Sequence, residues 1–302
     1  MQVYLPIAEL SLDVFLLLGL GGLIGFLSGL FGVGGGFLMT PLLIFIGVPP
    51  AIAVATQSTH VVASSVSGVL AHWKRGNVDV KMGVILLCGG FVGSTLGVGM
   101  FTLLRSIGQI DLVISLSYVV LLGTLGVMLM LEGARALLRR RGQGRTGKLH
   151  SHNWAHGLPL KTRFRKSRLY ISALVPLAIG FGVGVISSLM GVGGGFILVP
   201  LMIYVLGMPT TVVIGTSLFQ IIFVSANVTF LQASQNQAVD LVLALLLVLG
   251  GVIGAQFGGR LGARLPGDLL RLLLGLLILS VGAKLLVDLL VPPHDIYSLG
   301  LT

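Results

Sequence analysis

An all-α polytopic membrane protein, built from two inverted-topology repeats with helices broken at glycine-rich loops, is the architecture this sequence predicts. Three observations predict it. The first is composition: of 302 residues, 55% are hydrophobic and 9% charged, and the mean hydropathy is +1.05. Soluble domains carry about 25% charged residues, so this chain lacks the polar groups to cover a water-facing surface. The second is its 45 glycines, roughly twice the usual share of about 7%. They show no Gly-X-Y period, which excludes collagen, and the apolar content excludes disorder. The third is that the chain repeats itself.

Gly32-Val33-Gly34-Gly35-Gly36-Phe37, with Pro41 after it, returns as Gly191-Val192-Gly193-Gly194-Gly195-Phe196 with Pro200, at an offset of 159. The offset drifts by one and then two residues further on. Gly47-Val48-Pro49 matches Gly207-Met208-Pro209, Thr56 matches Thr216, and Gly89-Gly90, Gly93 and Gly97 match Gly250-Gly251, Gly254 and Gly258. Such an ordered series divides the chain into a first transmembrane repeat (1–132), a basic linker (133–168) and a second repeat (169–302).

Taken in order, the first repeat offers an apolar run at 12–31, a break at 32–36, a short run at 37–46, and spans at 50–73, 80–104 and 109–131. The second offers 169–190, 196–206, 210–232, 241–265 and 268–291. The total is eight to ten membrane segments at about 20 residues per spanning helix. The run after each glycine loop holds about ten residues, or about 15 Å of helix, roughly half a 30 Å hydrocarbon core. These two are therefore half-helices or arms of re-entrant hairpins.

Charge placement orients the repeats. Eleven of the 19 Lys and Arg residues fall between Arg135 and Arg168. A cytoplasmic linker puts the loop with Lys74, Arg75 and Lys81 on the same side, together with Arg260, Arg264 and Arg271. Arg105 and Lys284 are the exceptions, in keeping with the positive-inside rule. Corresponding loops of the two repeats then emerge on opposite faces, and both termini lie outside a cell (inner or plasma) membrane. The linker lacks any folded nucleic-acid-binding motif, so the charge reads as orientation. No Lys or Arg precedes Lys74, which argues against a cleaved signal peptide. Cys88 is the single cysteine, so a disulfide within the chain is excluded.

Inverted repeats with broken helices are a plan of secondary transporters, whose sites lie near the bilayer midplane where the halves meet. The chemistry suits an anion. Non-helical backbone in hydrocarbon persists only when buried in protein or lining a cavity. Each glycine loop feeds a helix N-terminus, whose free N–H groups and positive dipole end favour negative charge. Glycines at small-xxx-small spacing, such as Gly21/Gly25/Gly29 and Gly254/Gly258/Gly262, have a plainer reading as close helix contacts. Consecutive glycines wreck a helix instead of packing one, so Gly32, Gly34, Gly35, Gly36, Gly191, Gly193, Gly194 and Gly195 are the binding candidates. Neither loop fits a dinucleotide or P-loop pattern.

The doubled Gly-Val-Gly-Gly-Gly-Phe with its following proline, Ala55-Thr56-Gln57-Ser58 and Gly215-Thr216-Ser217-Leu218 together resemble the TauE/SafE-type sulfite exporter family, over both halves of the chain. The resemblance implies a polytopic carrier for sulfur-containing anions such as sulfite, sulfonates or sulfoacetate. Thr56-Gln57-Ser58 departs from the Thr-Ser-Leu form kept at 216–218, which leaves the two halves chemically unequal.

Polar side chains deep in apolar sequence complete the candidate site. Thr40, Gln57, Ser58, Thr216, Ser217 and Gln220 carry donors suited to anionic oxygens. Ser and Thr can equally satisfy their own helix backbone or a neighbouring helix. No Asp, Glu, Lys or Arg sits squarely mid-membrane, so dipoles and amides carry the anion's charge. His60 is the titratable candidate for proton coupling, and the coupling ion is a proton or another ion. Catalytic carboxylate pairs, metal motifs and cofactor motifs are lacking, which points away from an enzyme. The expected partners are a small anion and the lipid bilayer, with no cofactor, no metal and no nucleic acid. An anion channel, and a scaffold docking a partner through the basic linker, are the alternatives.

Overall fold

The computed structural model describes residues 2–31, 36–139, 161–164, 166–167, 169–262 and 267–291. Strands β1 (Gln2–Leu5) and β2 (Leu10–Asp13) form an antiparallel hairpin ahead of α1 (Val14–Phe31). There follow α2 (Gly36–Phe45), α3 (Pro50–Lys74), α4 (Val80–Ser106) and α5 (Ile110–Arg139). The second half repeats the order. Hairpin β3 (Lys161–Phe164) and β4 (Leu169–Ser172) precedes α6 (Leu174–Met190), α7 (Gly195–Tyr204), α8 (Thr210–Leu231), α9 (Leu241–Gly262) and α10 (Gly267–Leu290). Among the described residues five helices are long and apolar enough to cross a membrane, and α1, α2, α6 and α7 are shorter apolar helices. The chain is a multi-pass, all-α membrane protein.

Two boundaries differ from the sequence expectation. The apolar runs expected to start at 12 and 169 begin as strands, and the helices start at Val14 and Leu174. Leu-Ser-Leu-Asp and Leu-Tyr-Ile-Ser alternate with a period of two, a short signal masked by the apolar residues after it. The linker is correspondingly not all loop, since α5 runs on to Arg139 and β3 begins at Lys161. Past α8, the chain makes a π-helical turn at Gln232–Asn236.

Local sequence explains the remaining helix starts. Pro49 and Pro209 stand at the N-caps of α3 and α8, and α3 also has Pro50 at its first position, where the missing N–H would be unpaired anyway. Asp79 and Asp240 cap α4 and α9, accepting the N–H of Met82 and of Leu243.

The described chain forms two compact units, and each takes elements from both halves. In the larger (1–111 and 145–264), α1 packs along α9 and α4 along α6. Glycine makes both contacts possible. A Cβ on Gly25 would overlap the carbonyl of Gly251, one on Gly254 that of Gly22, one on Gly93 that of Phe181, and one on Gly180 that of Leu86. Small residues let the backbones touch in this way. Helix α3 crosses α8 in the antiparallel sense: Gly68 faces Leu218, while Gly215 faces His72 and Asn77. Two apolar cores result. One joins β1, β2, α1, α2 and the start of α3 to α9, through Leu17, Ile24, Met39, Leu43, Leu243 and Leu247. The other joins β3, β4, α6, α7 and the start of α8 to α4, through Phe164, Val183, Leu198, Met202, Met82 and Leu86. Each core is thus completed by the fourth helix of the opposite half.

In the smaller unit (112–144 and 265–302), α5 and α10 lie antiparallel. Gly126 faces Leu279, Gly133 faces Leu272 and Gly275 faces Met130.

Candidate functional site

Helix α6 ends at Gly191, which takes a left-handed φ of +68° and donates its N–H to Ser187 O at 2.7 Å. Gly193 and Gly194 follow at +73° and +71°, and α7 begins at Gly195. Glycine is required twice over here. L-residues avoid this backbone region, and a Cβ would strike Val54 O from Gly191, Val61 Cγ1 from Gly193 and Val183 Cγ1 from Gly194. The loop therefore lies against α3.

The two half-helices start side by side. A Cβ on Gly36, the first residue of α2, would stand 3.1 Å from Val192 O, and the rings of Phe37 and Phe196 have centroids 6.0 Å apart. Gln57 Nε2 reaches from α3 to donate to Gly36 O at 3.1 Å. At the start of α7, Ile197 and Leu198 both donate to Gly194 O. No acceptor among the described residues meets the N–H groups of Val192, Gly193, Gly194, Gly195 or Phe196. Successive N–H groups in left-handed and right-handed backbone can form a concave anion-binding nest, and here the positive end of α7 adds to it.

The structure separates the predicted side chains by what they touch. Thr216 Oγ1 accepts the Asp79 N–H at 3.0 Å, tying α8 to the start of α4. Ser58 donates to Val54 O and Ser217 to Ile214 O, each within its own helix. Buried polar atoms without a hydrogen-bond partner among the described residues include Thr40 Oγ1, Gln57 Oε1, His60 Nδ1, Gln220 Oε1, Ser225 Oγ and Thr229 Oγ1. His60 Nε2 and Gln220 Nε2 occupy matching places, 2.7 Å and 2.6 Å from where a Cβ on Gly251 or Gly90 would stand. Gly36, Gln57 and Gly191–Gly195 thus come together at the junction of α2, α3 and α7. Gly32, Gly34 and Gly35 lie outside the described residues.

Three groups escaped the sequence reading. Asp79 and Asp240 are counterparts at an offset of 161, the same offset that relates Gly93 to Gly254. Asp79 Oδ2 also accepts the N–H and hydroxyl of Ser167, and Asp240 Oδ2 accepts the N–H of Ile7. Each aspartate so fastens a hairpin turn to the fourth helix of the opposite half. Extending the repeat alignment past the glycines would have found the pair. Ser225 is the third, and its place beside Gly193 leaves no mark in sequence.

The family described as Sulfite exporter TauE/SafE matches residues 17–285. A "Probable membrane transporter protein" of Xylella fastidiosa (strain 9a5c) is 31% identical, over 78% of this chain and 79% of its own length. The "Probable membrane transporter protein YjnA" of Bacillus subtilis is 30% identical, over 76% of this chain and 83% of its own. The "Sulfite exporter TauE/SafE family protein 5" of Arabidopsis thaliana is 39% identical over 77 residues, 25% of this chain and 17% of its own. No solved structure matches significantly.

Proposed function

The chain belongs to the sulfite exporter TauE/SafE family of membrane transporters, and on that premise we propose that it is a secondary transporter moving a small sulfur-containing anion by alternating access. The single observation that carries this reading is the start of α7, where five successive N–H groups without an acceptor among the described residues lie beside the start of α2. Such backbone inside a membrane protein needs a partner, and an oxyanion supplies one without any fixed cation. Sulfite, sulfonates and sulfoacetate have the right chemistry: several oxygens around one charged centre, able to accept from several directions.

The antiparallel crossing of α3 and α8 supports the inverted relation between the halves. On that relation the basic linker is cytoplasmic, both termini lie outside, and movement of the halves about the glycine loops exposes the site to each face in turn. His60 is the coupling residue in this reading, because it is 7% exposed and its Nδ1 has no hydrogen-bond partner among the described residues.

The test is uptake of labelled sulfite and a panel of sulfonates into proteoliposomes, with the Gly34→Leu, Gly193→Leu double variant alongside. Saturable uptake that disappears in a monodisperse double variant supports carriage at the glycine loops and ranks the substrates. Non-saturating flux would indicate a channel. Absence of uptake under every imposed gradient would end the transport reading for these anions, and uptake surviving the double variant would move the site elsewhere.

A further inference from the structure

The hydroxyls along α8 are not equivalent. Thr216 is occupied by Asp79 and Ser217 by its own helix. Ser225 lies about two turns past Ser217, is 1% exposed, and its Oγ has no hydrogen-bond partner among the described residues. That Oγ stands 3.4 Å from the point a Cβ on Gly193 would occupy, so it is aimed at the glycine loop. A hydroxyl sealed from water and left unpaired is a costly arrangement. Here it coincides with backbone donors of the same loop that also find no acceptor among the described residues. Unpaired donors of two independent kinds, backbone and side chain, thus lie at the same glycine loop.

The two halves differ at this place. In the first, Gln57 spans the gap to Gly36 O. Its counterpart Ser217 turns back to Ile214 O, and among the described residues a Cβ on Gly195 would meet only Ile221 Cδ1, at 2.9 Å. Where α2 has an amide against its first residue, α7 has the end of an isoleucine side chain.

We infer that Ser225 is a substrate-binding residue, its hydroxyl donating to one oxygen of an oxyanion held at the start of α7 by the N–H groups of Val192 to Phe196. The inference rests on the reading of this chain as an anion transporter and adds the side chain that would recognise the substrate. Binding is then one-sided, in the second glycine loop, and the nearest hydrophobic walls are Val61 and Ile221.

The experiment is sulfite uptake by wild type, Ser225→Ala, Ser225→Cys and, as a control on the exposed π-helical turn, Ser234→Ala. Loss of one hydrogen bond to a charged group is expected to raise KM about tenfold in Ser225→Ala. Ser225→Cys, of similar shape and with a weaker donor, falls between. Vmax is expected to change little, because this hydroxyl bonds no other protein group among the described residues, and Ser234→Ala keeps the wild-type KM. Sulfite-induced thermal stabilisation in detergent checks the same point without flux: Ser225→Ala requires about tenfold more sulfite. Saturable wild-type uptake with the same KM in Ser225→Ala overturns the role of Ser225 and leaves the transporter reading standing. A wild type with neither uptake nor stabilisation by sulfite or any sulfonate overturns that reading, and this inference with it.

Discussion

Thr56 on α3 and Thr216 on α8 act alike, each hydroxyl accepting the N–H of the aspartate that caps the fourth helix of the opposite half, at 3.0 Å in both cases. One residue further along the likeness stops. Gln57 crosses to Gly36 O, while Ser217 turns back on its own helix. The same contrast recurs a turn later, where His60 and Gln220 press against equivalent glycines with different chemistry. Thr56 and Thr216, kept the same, bind the halves to each other; Gln57 and Ser217, which differ, part at the first residue of α2, which only Gln57 reaches. On the proposed reading a single ligand would need only one of two matching site positions, which would leave the other free to take a different task.

The scaffold side of this comparison predicts equal damage from equivalent changes. Gly93 and Gly254 are counterparts, and a Cβ on either would run into backbone, at Phe181 and at Gly22. Helix backbones have no flexible end to move aside, so Gly93→Leu and Gly254→Leu should each cost more than about 4 kcal/mol. Both should fail to give a monodisperse species in detergent. If one variant folds normally and the other does not, the two helix pairs are not equivalent supports.

A sharper version compares the two caps. Asp79 accepts from Met82 N, Ser167 N and Ser167 Oγ, the last at 2.6 Å, and Lys166 Nζ adds a bond to Val78 O beside it. Asp240 accepts from Leu243 N and Ile7 N. Both alanine variants lose a cap of about 1 kcal/mol and at least one further bond to a charged group. Asp79→Ala loses one more of these, so its destabilisation should exceed that of Asp240→Ala by about 1.5 kcal/mol. Thermal unfolding of the two purified variants measures the difference, and equal midpoints would show that the Ser167 hydroxyl adds nothing.

How much of this was legible in the sequence follows from the length of each signal. The doubled Gly-Val-Gly-Gly-Gly-Phe motif and the ten-residue runs after it announced two half-helices, and α2 and α7 are each ten residues long. Gly21 and Gly25, read as close-packing glycines, do meet α9. The hairpins escaped notice because four alternating residues cannot outvote the long apolar run they adjoin. Asp79 and Asp240 look like ordinary loop acids until the helix behind each is known to belong beside the other half. Ser225 is one hydroxyl in an apolar helix, and its meaning comes from a loop some 30 residues away in sequence landing on it. Thr216 shows the reverse case: a hydroxyl with site-like surroundings in sequence whose hydrogen bond serves the scaffold.

On the site side, Gln57→Ser makes α3 read like α8 at the point where they part. The variant leaves the buried Gly36 carbonyl without its side-chain donor, at a cost of about 1–2 kcal/mol. Uptake should persist with a changed KM if Gln57 serves mainly to hold the first residue of α2. Complete loss of uptake from a well-folded Gln57→Ser protein would instead make the amide itself a substrate ligand and weaken the one-sided site.

The smallest change to the fold, and the most selective one, is His60→Gln. Glutamine already occupies the equivalent place at Gln220, against Gly90, so the neighbourhood of Gly251 should accept it with a stability change within about 1 kcal/mol. What the substitution removes is a side chain that can bind and release a proton. Uptake driven by an imposed pH gradient should therefore be lost, while counterflow exchange of the anion at uniform pH continues. This pattern would place coupling on α3 and anion recognition at the loop held by α8, dividing between the halves two tasks that a symmetric site would perform twice. An unchanged response to the gradient would remove His60 from the mechanism, and the difference between His60 and Gln220 would then be one the transport cycle does not use.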